Sequence, residues 1–142
     1  MVIDHVGVVV SSIEDGIRQW QELFGYRAAS DPIVNTRQKV RVVFLAKPDS
    51  LIVKLIEPIA TDSPVTGFAR RGGGLHHLCF RCKDLKQEVA VLKVKGVRFV
   101  VPPEPGEAFN GNDIGFFLAG NNLNIELIDT DEKNGWHNPI ST

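Results

Sequence analysis

The sequence holds few of the residues on which several classes of protein depend. Only two cysteines occur in 142 residues, so disulfide bonds are not expected to hold the fold together, and a chain of this length buries roughly two thirds of its unfolded surface without them. Basic residues are not in excess, because 16 Lys and Arg stand against 17 Asp and Glu. No apolar run approaches the roughly 20 residues that span a bilayer. We therefore expect neither a general nucleic-acid binder nor a membrane protein.

The two cysteines, Cys79 and Cys82, form a Cys-x-x-Cys motif inside a run of strand-forming residues. Side chains three positions apart on a strand point to opposite faces of the sheet, so this pair is not expected to bind one metal. We predict two unrelated, reduced thiols. The first five residues lack the basic region of a signal peptide. Together these features predict a cytoplasmic protein.

An internal repeat is the main feature that the sequence does contain. Residues 3–8 (IDHVGV) match 75–80 (LHHLCF), and residues 53–57 (VKLIE) match 125–129 (IELID), both at an offset of 72 positions. In each half, a strand rich in apolar residues is followed by a helix with apolar residues at helical spacing and then by three more strands. The sequence therefore predicts an α+β fold built from two βαβββ modules.

Capping residues and turn signals set the element boundaries. In the first half, Ser11 or Ser12 begins the helix and Gly25 ends it, and Asp84 and Gly96 do the same in the second half. The strands that follow the helices are predicted near residues 26–34, 39–46, 51–57, 97–101, 114–119 and 123–129. A single domain results, which comprises module one at about 2–57, a linker at 58–74, module two at about 75–129 and a loosely held polar tail at 130–142.

Four polar residues interrupt the apolar strands at equivalent positions of the two halves. His5 and His77 lie on the first strands, 72 residues apart, and Lys54 and Glu126 lie on the last strands, also 72 apart. A polar side chain within an apolar strand is costly unless it is paired. The symmetric set therefore predicts one shared cavity, in which two His and one Glu suit a divalent metal. His76 is expected on the opposite face of its strand.

Several of these segments are similar to one known family. Residues 3–7 (IDHVG), 75–78 (LHHL), 92–98 (LKVKGVR) and 124–127 (NIEL) resemble the vicinal oxygen chelate superfamily of glyoxalases and bleomycin resistance proteins, and most closely the methylmalonyl-CoA epimerases. The resemblance covers roughly residues 2–129. It implies that the two modules form a glyoxalase-like open barrel around a central cavity. It also implies a homodimer, and an isomerase or lyase for a small anionic carbonyl compound or a CoA thioester.

The resemblance also assigns candidate site residues. The metal ligands of the family fall on His5, His77 and Glu126, which implies a divalent Co, Ni, Mn, Fe or Zn ion. The fourth ligand position carries Lys54, whose ammonium group has no lone pair. A catalytic carboxylate of the family falls on Arg37. Glu126, Lys54 and Arg37 are therefore the candidate catalytic residues.

The two cationic substitutions leave four hypotheses open. In the first, the Lys54 ammonium fills the space of the metal, pairs with Glu126 and, together with Arg37, suits the cavity to an anion. In the second, a desolvated Lys54 is a base or a Schiff-base nucleophile. In the third, metal binds through three protein ligands. In the fourth, the protein is a metal-free ligand-binding or resistance protein and not an enzyme.

Overall fold

The computed structural model describes residues 1–137, and within them nine strands form one sheet with three α-helices packed beside it. Part of the predicted tail, residues 138–142, lies outside the described residues. The elements are β1 Val2–Val9, α1 Ile13–Phe24, β2 Arg27–Ala28, β3 Ile33–Asn35, β4 Val40–Ala46, β5 Ile52–Pro58, α2 Thr66–Arg70, β6 Gly74–Arg81, α3 Leu85–Val94, β7 Phe99–Pro105, β8 Asp113–Ala119 and β9 Leu123–Ile128. A short 3-10 helix covers Glu107–Phe109.

The two halves of the chain meet in the middle of the sheet. The strand order is β2-β4-β5-β1-β6-β9-β8-β7, and β3 pairs with β4 beside this path. β1 and β6 pair antiparallel, whereas each is parallel to the last strand of its own half, β5 or β9. The sheet stays open because β2 and β7 end it without pairing to one another. This arrangement confirms the predicted α+β fold and the open barrel.

The long helices begin at the predicted residues. At α1 the Ser12 hydroxyl accepts a hydrogen bond from the Asp15 backbone N–H at 3.2 Å, and Gly25 ends the helix in the left-handed conformation with φ 73°. At α3 the Asp84 carboxylate accepts from the Gln87 N–H at 3.0 Å. These bonds satisfy N–H groups that the first turn of a helix leaves without partners.

A second capping contact occurs at equivalent positions in the two halves. The Glu57 carboxylate at the end of β5 accepts a hydrogen bond from the Ile13 N–H at 2.7 Å. The Asp129 carboxylate, directly after β9, accepts from the Leu85 N–H at 2.8 Å. The two donors are 72 positions apart, and so are the two acceptors. In both halves, therefore, the same hydrogen bond connects the helix to the end of the last strand. The negative charge also suits the positive end of the helix dipole.

Strand alternation decides which side chains face the interior of the barrel. Val53 and Leu55 of β5 pack in the cluster beneath α1, and Ile125 and Leu127 of β9 pack in the equivalent cluster beneath α3. Side chains on a strand alternate between the two faces. The residue between each pair, Lys54 or Glu126, therefore faces the opposite, concave side of the sheet.

The structure differs from the sequence-based expectation at two connections. The single strand predicted at 26–34 is divided into β2 and β3, because Pro32 has no N–H with which to continue the ladder. The linker contains the short helix α2. No helix of the described residues is long and apolar enough to cross a membrane.

The tail is held firmly where the structure describes it, so the prediction of a loose segment is wrong for residues 130–137. The Asn134 N–H donates to the Ala108 carbonyl at 2.8 Å, and the His137 N–H donates to the Ala29 carbonyl at 2.8 Å. Lys133 is buried. The tail therefore crosses both halves of the barrel and brings a charged side chain to the interior.

Candidate functional site

A cavity of about 200 Å³ opens on the concave side of the sheet. Most of its wall is apolar, and four side chains from β5, β6 and β9 form its polar end. They are Lys54, His76, His77 and Glu126. The amides of Asn35, Gln38 and Asn124 add further hydrogen-bonding groups to the wall. The cavity therefore has the usual character of a small-molecule site, in which apolar surface surrounds a few converging polar groups.

The Glu126 carboxylate lies at the centre of the polar end and is fully buried. Its Oε1 atom accepts hydrogen bonds from His5 Nε2 at 2.9 Å and from His77 Nε2 at 3.2 Å. The Lys54 ammonium approaches both carboxylate oxygens, at 3.4 and 3.3 Å. The structure thus brings together all four of the polar residues that the repeat singled out.

The surroundings of this cluster set its charges. Burial would raise the pKa of Glu126, but the Lys54 ammonium and the hydrogen bonds from His5 and His77 outweigh it and hold that pKa well below its usual value. Burial lowers the pKa of His77 to about 4. At neutral pH, Glu126 is therefore ionised and His77 is neutral.

Two irregularities in the pairing of β1 with β6 shape the site, and they also follow the repeat. The register shifts at Asp4 in β1 and at His76 in β6, the residues directly before His5 and His77. A β-bulge sets two residues against one on the partner strand and re-aims the side chains beside it. His76 consequently lines the cavity, so the expectation that it faces away is wrong.

Each bulge residue contacts the ring of the histidine that follows it. Asp4 Oδ2 accepts a hydrogen bond from His5 Nδ1 at 2.7 Å, and His76 Nδ1 lies 2.9 Å from His77 Nδ1. His77 donates through Nε2 to Glu126, so its neutral ring accepts at Nδ1 and His76 is the donor. His5 has a carboxylate oxygen within hydrogen-bond distance of each ring nitrogen, 2.7 Å from Nδ1 and 2.9 Å from Nε2.

Small residues lie opposite the two histidine rings. Gly7 is the cross-strand partner of His77, and Cys79, 72 positions after Gly7, is the partner of His5. A Cβ atom on Gly7 would lie 2.5 Å from both ring nitrogens of His77. Cys79 and Cys82 are free and pack in different clusters. The position of Cys79 is therefore explained by packing beneath His5 and not by pairing with Cys82.

Lys133 is a site residue that sequence analysis missed. Its ammonium lies 3.1 and 3.2 Å from the two oxygens of Asp4, and both side chains are buried. Burial would raise the pKa of Asp4, but the hydrogen bond from His5 and the Lys133 charge lower it. The repeat could not have identified Lys133, because this residue follows both modules. Asp4 could have been found, since it stands 72 positions before His76.

Arg37 is the candidate residue that the structure leaves outside the cluster, whereas His5 belongs to the cluster but is buried behind the cavity wall. Arg37 lies exposed in the turn between β3 and β4 and is not part of the cavity wall. The neighbouring residue, Gln38, lines the cavity instead and donates a hydrogen bond to Glu104 at 3.2 Å. The predicted contribution of Arg37 to a positive cavity is corrected accordingly, and Lys54 is the cation at its polar end.

Three residues of the cluster suit a metal by type and proximity. One ligand atom each from His5, His77 and Glu126 lies within 4.8 Å of the others. The fourth side does not suit a metal, because the Lys54 ammonium lies against both oxygens of Glu126 and a protonated amine has no lone pair. As described, the cluster therefore holds a cation of its own.

Comparison with known proteins agrees with this architecture. The sequence model of the Glyoxalase/Bleomycin resistance protein/Dioxygenase superfamily matches residues 4–116. The protein YqjC of Bacillus subtilis, which is uncharacterized, is 32% identical over 134 residues that cover 94% of this chain and 93% of the relative. The ethylmalonyl-CoA/methylmalonyl-CoA epimerase of Cereibacter sphaeroides is 26% identical over 92% of this chain and 96% of the relative.

Solved structures agree in fold along most of the chain. The methylmalonyl-CoA epimerase of Mycobacterium tuberculosis superposes with a TM-score of 0.80 at 27% identity, over 90% of this chain and 87% of the other. A variant of the Streptomyces coelicolor methylmalonyl-CoA epimerase, in complex with 2-nitronate-propionyl-CoA, gives the same score at 27% identity, over 92% of this chain and 97% of the other. The resemblance to epimerases that the sequence indicated is thereby confirmed.

Proposed function

The chain belongs to the glyoxalase/bleomycin resistance protein/dioxygenase superfamily, and within it we propose an isomerase that moves the α-proton of an acyl-CoA thioester. One observation carries this proposal. A buried carboxylate, Glu126, and an ammonium, Lys54, lie side by side at the polar end of an apolar cavity. Such a pair supplies a proton acceptor and a partner for the negative oxygen that forms when the proton leaves.

The proposed reaction needs only groups that this chain holds. The α-C–H bond breaks, its proton passes to a Glu126 oxygen, and the electron pair moves to the thioester oxygen to give an enolate. The Lys54 ammonium has three donors, two of which are directed at Glu126. Because Lys54 also lines the cavity, its third donor is available to the enolate oxygen. Return of the proton from Glu126 to the opposite face of the planar enolate, after the enolate turns over in the cavity, completes the isomerisation, whereas return to the same face regenerates the substrate.

The size of the cavity limits which part of the substrate it encloses. Pockets that bury whole drug-sized ligands measure roughly 300–1,000 Å³, whereas this one measures about 200 Å³. That volume suits a short acyl group, with the coenzyme remaining outside the mouth. Further support comes from the epimerase of C. sphaeroides, whose name specifies ethylmalonyl-CoA and methylmalonyl-CoA, and from the CoA ligand in the S. coelicolor structure.

A second candidate function is ligand binding without turnover. Three donor residues hold Glu126 and keep its pKa well below the usual value, which makes it a weak base. Among the described residues of the cavity wall, Glu126 is the only carboxylate, so no second carboxylate is available to return a proton on the opposite face. These two observations favour a metal-free binding or resistance protein as the alternative.

Exchange of the α-proton with deuterated water distinguishes the two candidates. Proton NMR of methylmalonyl-CoA in D₂O should show exchange that depends on the wild-type protein and falls about 100-fold or more in Glu126→Gln. The matched control is Glu22→Gln, an exposed residue of α1, which should exchange as the wild type does. Calorimetric titration with the same thioester measures binding separately. Micromolar binding without exchange would support the ligand-binding protein, and neither binding nor exchange would reject both candidates.

Two further features accompany the proposal. The free thiols of Cys79 and Cys82 agree with a reducing compartment such as the cytoplasm. The homodimer implied by the family stays a prediction, and sedimentation equilibrium of the wild-type protein tests it.

A further inference from the structure

We infer that the Lys54 ammonium takes the place of a divalent metal in this cavity, so that the wild-type chain excludes the ion that His5, His77 and Glu126 would otherwise bind. The inference deepens the proposed function, because it makes Lys54 the cation of that site. It stands on geometry and charge, however, and metal binding tests it without any substrate.

The two histidines direct ring nitrogens at the Glu126 carboxylate. In a metal site, two imidazole nitrogens and a carboxylate oxygen would each aim a lone pair at one common ion. Here the Nε2 atoms of His5 and His77 both lie within hydrogen-bond distance of Glu126 Oε1. They act as donors to the carboxylate, so their lone pairs are not available on that side.

The Lys54 ammonium lies beside both Glu126 and an aromatic ring. Lys54 Nζ is 3.4 Å from Oε1 and 3.3 Å from Oε2 of Glu126, and it also lies 5.2 Å from the centre of the Phe109 ring. Carboxylate and aromatic face both favour a cation at this point. An ion bound to Glu126 on the same side would meet a second cation at contact distance.

The buried acidic groups of the cluster already have cationic partners. The cluster contains two carboxylates, Asp4 and Glu126, and two ammonium groups, Lys54 and Lys133, all of them buried. Each carboxylate has one ammonium beside it, and the Arg81 guanidinium also lies 3.7 Å from Asp4. These cations already match or exceed the two carboxylates, so a divalent ion would add two positive charges that no buried carboxylate balances, in a site with little water to screen them.

Replacing Lys54 by glutamine changes both the charge of the site and the number of atoms that can ligate a metal. The Lys54→Gln variant loses one positive charge and gains an amide oxygen that can ligate a metal. The Lys133–Asp4 pair is left as it is. We therefore expect this single substitution to raise the affinity for a divalent ion at least 100-fold.

The experiment measures metal binding directly. Wild-type protein is stripped with a chelator, dialysed and titrated with Co²⁺, and the bound metal is measured by elemental mass spectrometry and by its visible absorption. The wild type should retain less than about 0.1 Co per chain, and Lys54→Gln about one. The matched control is Lys47→Gln, because the Lys47 ammonium is exposed and bonds only the Phe24 carbonyl among the described residues. This control should behave as the wild type does.

A second substitution shows where the ion binds. Adding Glu126→Gln to Lys54→Gln should abolish Co²⁺ binding, because it removes the charged ligand. If Lys54→Gln does not fold, Lys54→Met removes the ammonium with less change in side-chain length and is expected to bind Co²⁺ through the three remaining ligands. Folding of each variant is checked by circular dichroism before titration.

Two results would overturn the inference. One is a full equivalent of Co²⁺ on the wild-type chain, and the other is a folded Lys54 variant that binds no more metal than the wild type. Neither result depends on turnover. A wild type that binds metal and exchanges the α-proton would reject the inference and support the proposed function. A wild type that binds no metal and does not exchange the α-proton would support the inference and reject the proposed function.

Discussion

The close contact between Gly7 and the His77 ring leads to a sharp prediction. Gly7 lies directly opposite His77 in the pairing of β1 with β6, and a Cβ atom there would lie 2.5 Å from Nδ1 and from Nε2 of the ring. Real Cβ atoms do not come that close. In Gly7→Ala, the His77 ring must therefore leave its position and its hydrogen bond to Glu126 must break.

The size of the effect follows from overpacking. Inserting a methyl group into a filled site costs about 1–3 kcal/mol, and for a chain of this length the Tm falls by roughly 3–9 °C. The control is Gly120→Ala, because no atom lies within 4 Å of a Cβ at that position. This control should lose no stability, since an unstrained Gly to Ala change is neutral or mildly stabilising.

A double-mutant cycle assigns the effect to the ring. In a His77→Ala background the space beside Gly7 is free, so Gly7→Ala should cost less than about 0.5 kcal/mol there. Urea unfolding monitored by circular dichroism measures all four proteins. A Gly7→Ala protein as stable as the wild type, or a cost that is the same in both backgrounds, would refute the placement of the ring and with it the bulge geometry.

Three further variants test other contacts of the cluster and the sheet. Lys133→Met leaves the buried Asp4 carboxylate with His5 and the more distant Arg81, 3.7 Å away, as its remaining partners and should lower the free energy of unfolding by about 2 kcal/mol. A loss below about 0.5 kcal/mol would contradict the docking of the tail. The pKa of Glu107 is lowered by hydrogen bonds from Thr36, so the stability that it contributes is present above pH 4.5 and is lost as the pH falls below that value; Glu107→Gln should therefore lose less stability in acid than the wild type does in urea titrations at pH 3 and pH 6. Exchanging the charges in Lys54→Glu with Glu126→Lys should keep the stability within about 2 kcal/mol of the wild type, while either single change costs more than 3 kcal/mol; two additive losses would contradict the equivalence of the two positions.

The fold was predictable because its signals are local and repeat. The alternation of apolar and polar residues around Lys54 and Glu126 can be read directly from the sequence. The same is true of the helix caps at Ser12 and Asp84, because both patterns depend on residues that are close along the chain. The offset of 72 residues then showed which residues of the two halves are equivalent. The tail could not be predicted in this way, since its docking depends on a tertiary contact between Lys133 and Asp4.

The site was predictable in its members and less so in its shape. His5, His77, Lys54 and Glu126 come together as expected. His76 was assigned to the wrong face, because simple alternation does not account for a bulge. The bulges at Asp4 and His76 precede the two histidines at the same offset, but a bulge is set by strand pairing and not by residue type.

The equivalence of the two halves limits how the central charges can be arranged. A repeated fold brings position 54 next to position 126, and two carboxylates at that distance would repel one another unless a bound cation lay between them. Lysine opposite glutamate satisfies the same requirement within the chain, at 3.3 Å. Such a cation cannot be removed by a chelator, and it offers hydrogen-bond donors but no open coordination position. The chemistry that remains is the stabilisation of a single negative oxygen by N–H groups, which matches an enolate better than any reaction that requires two oxygens of the substrate to bind one ion.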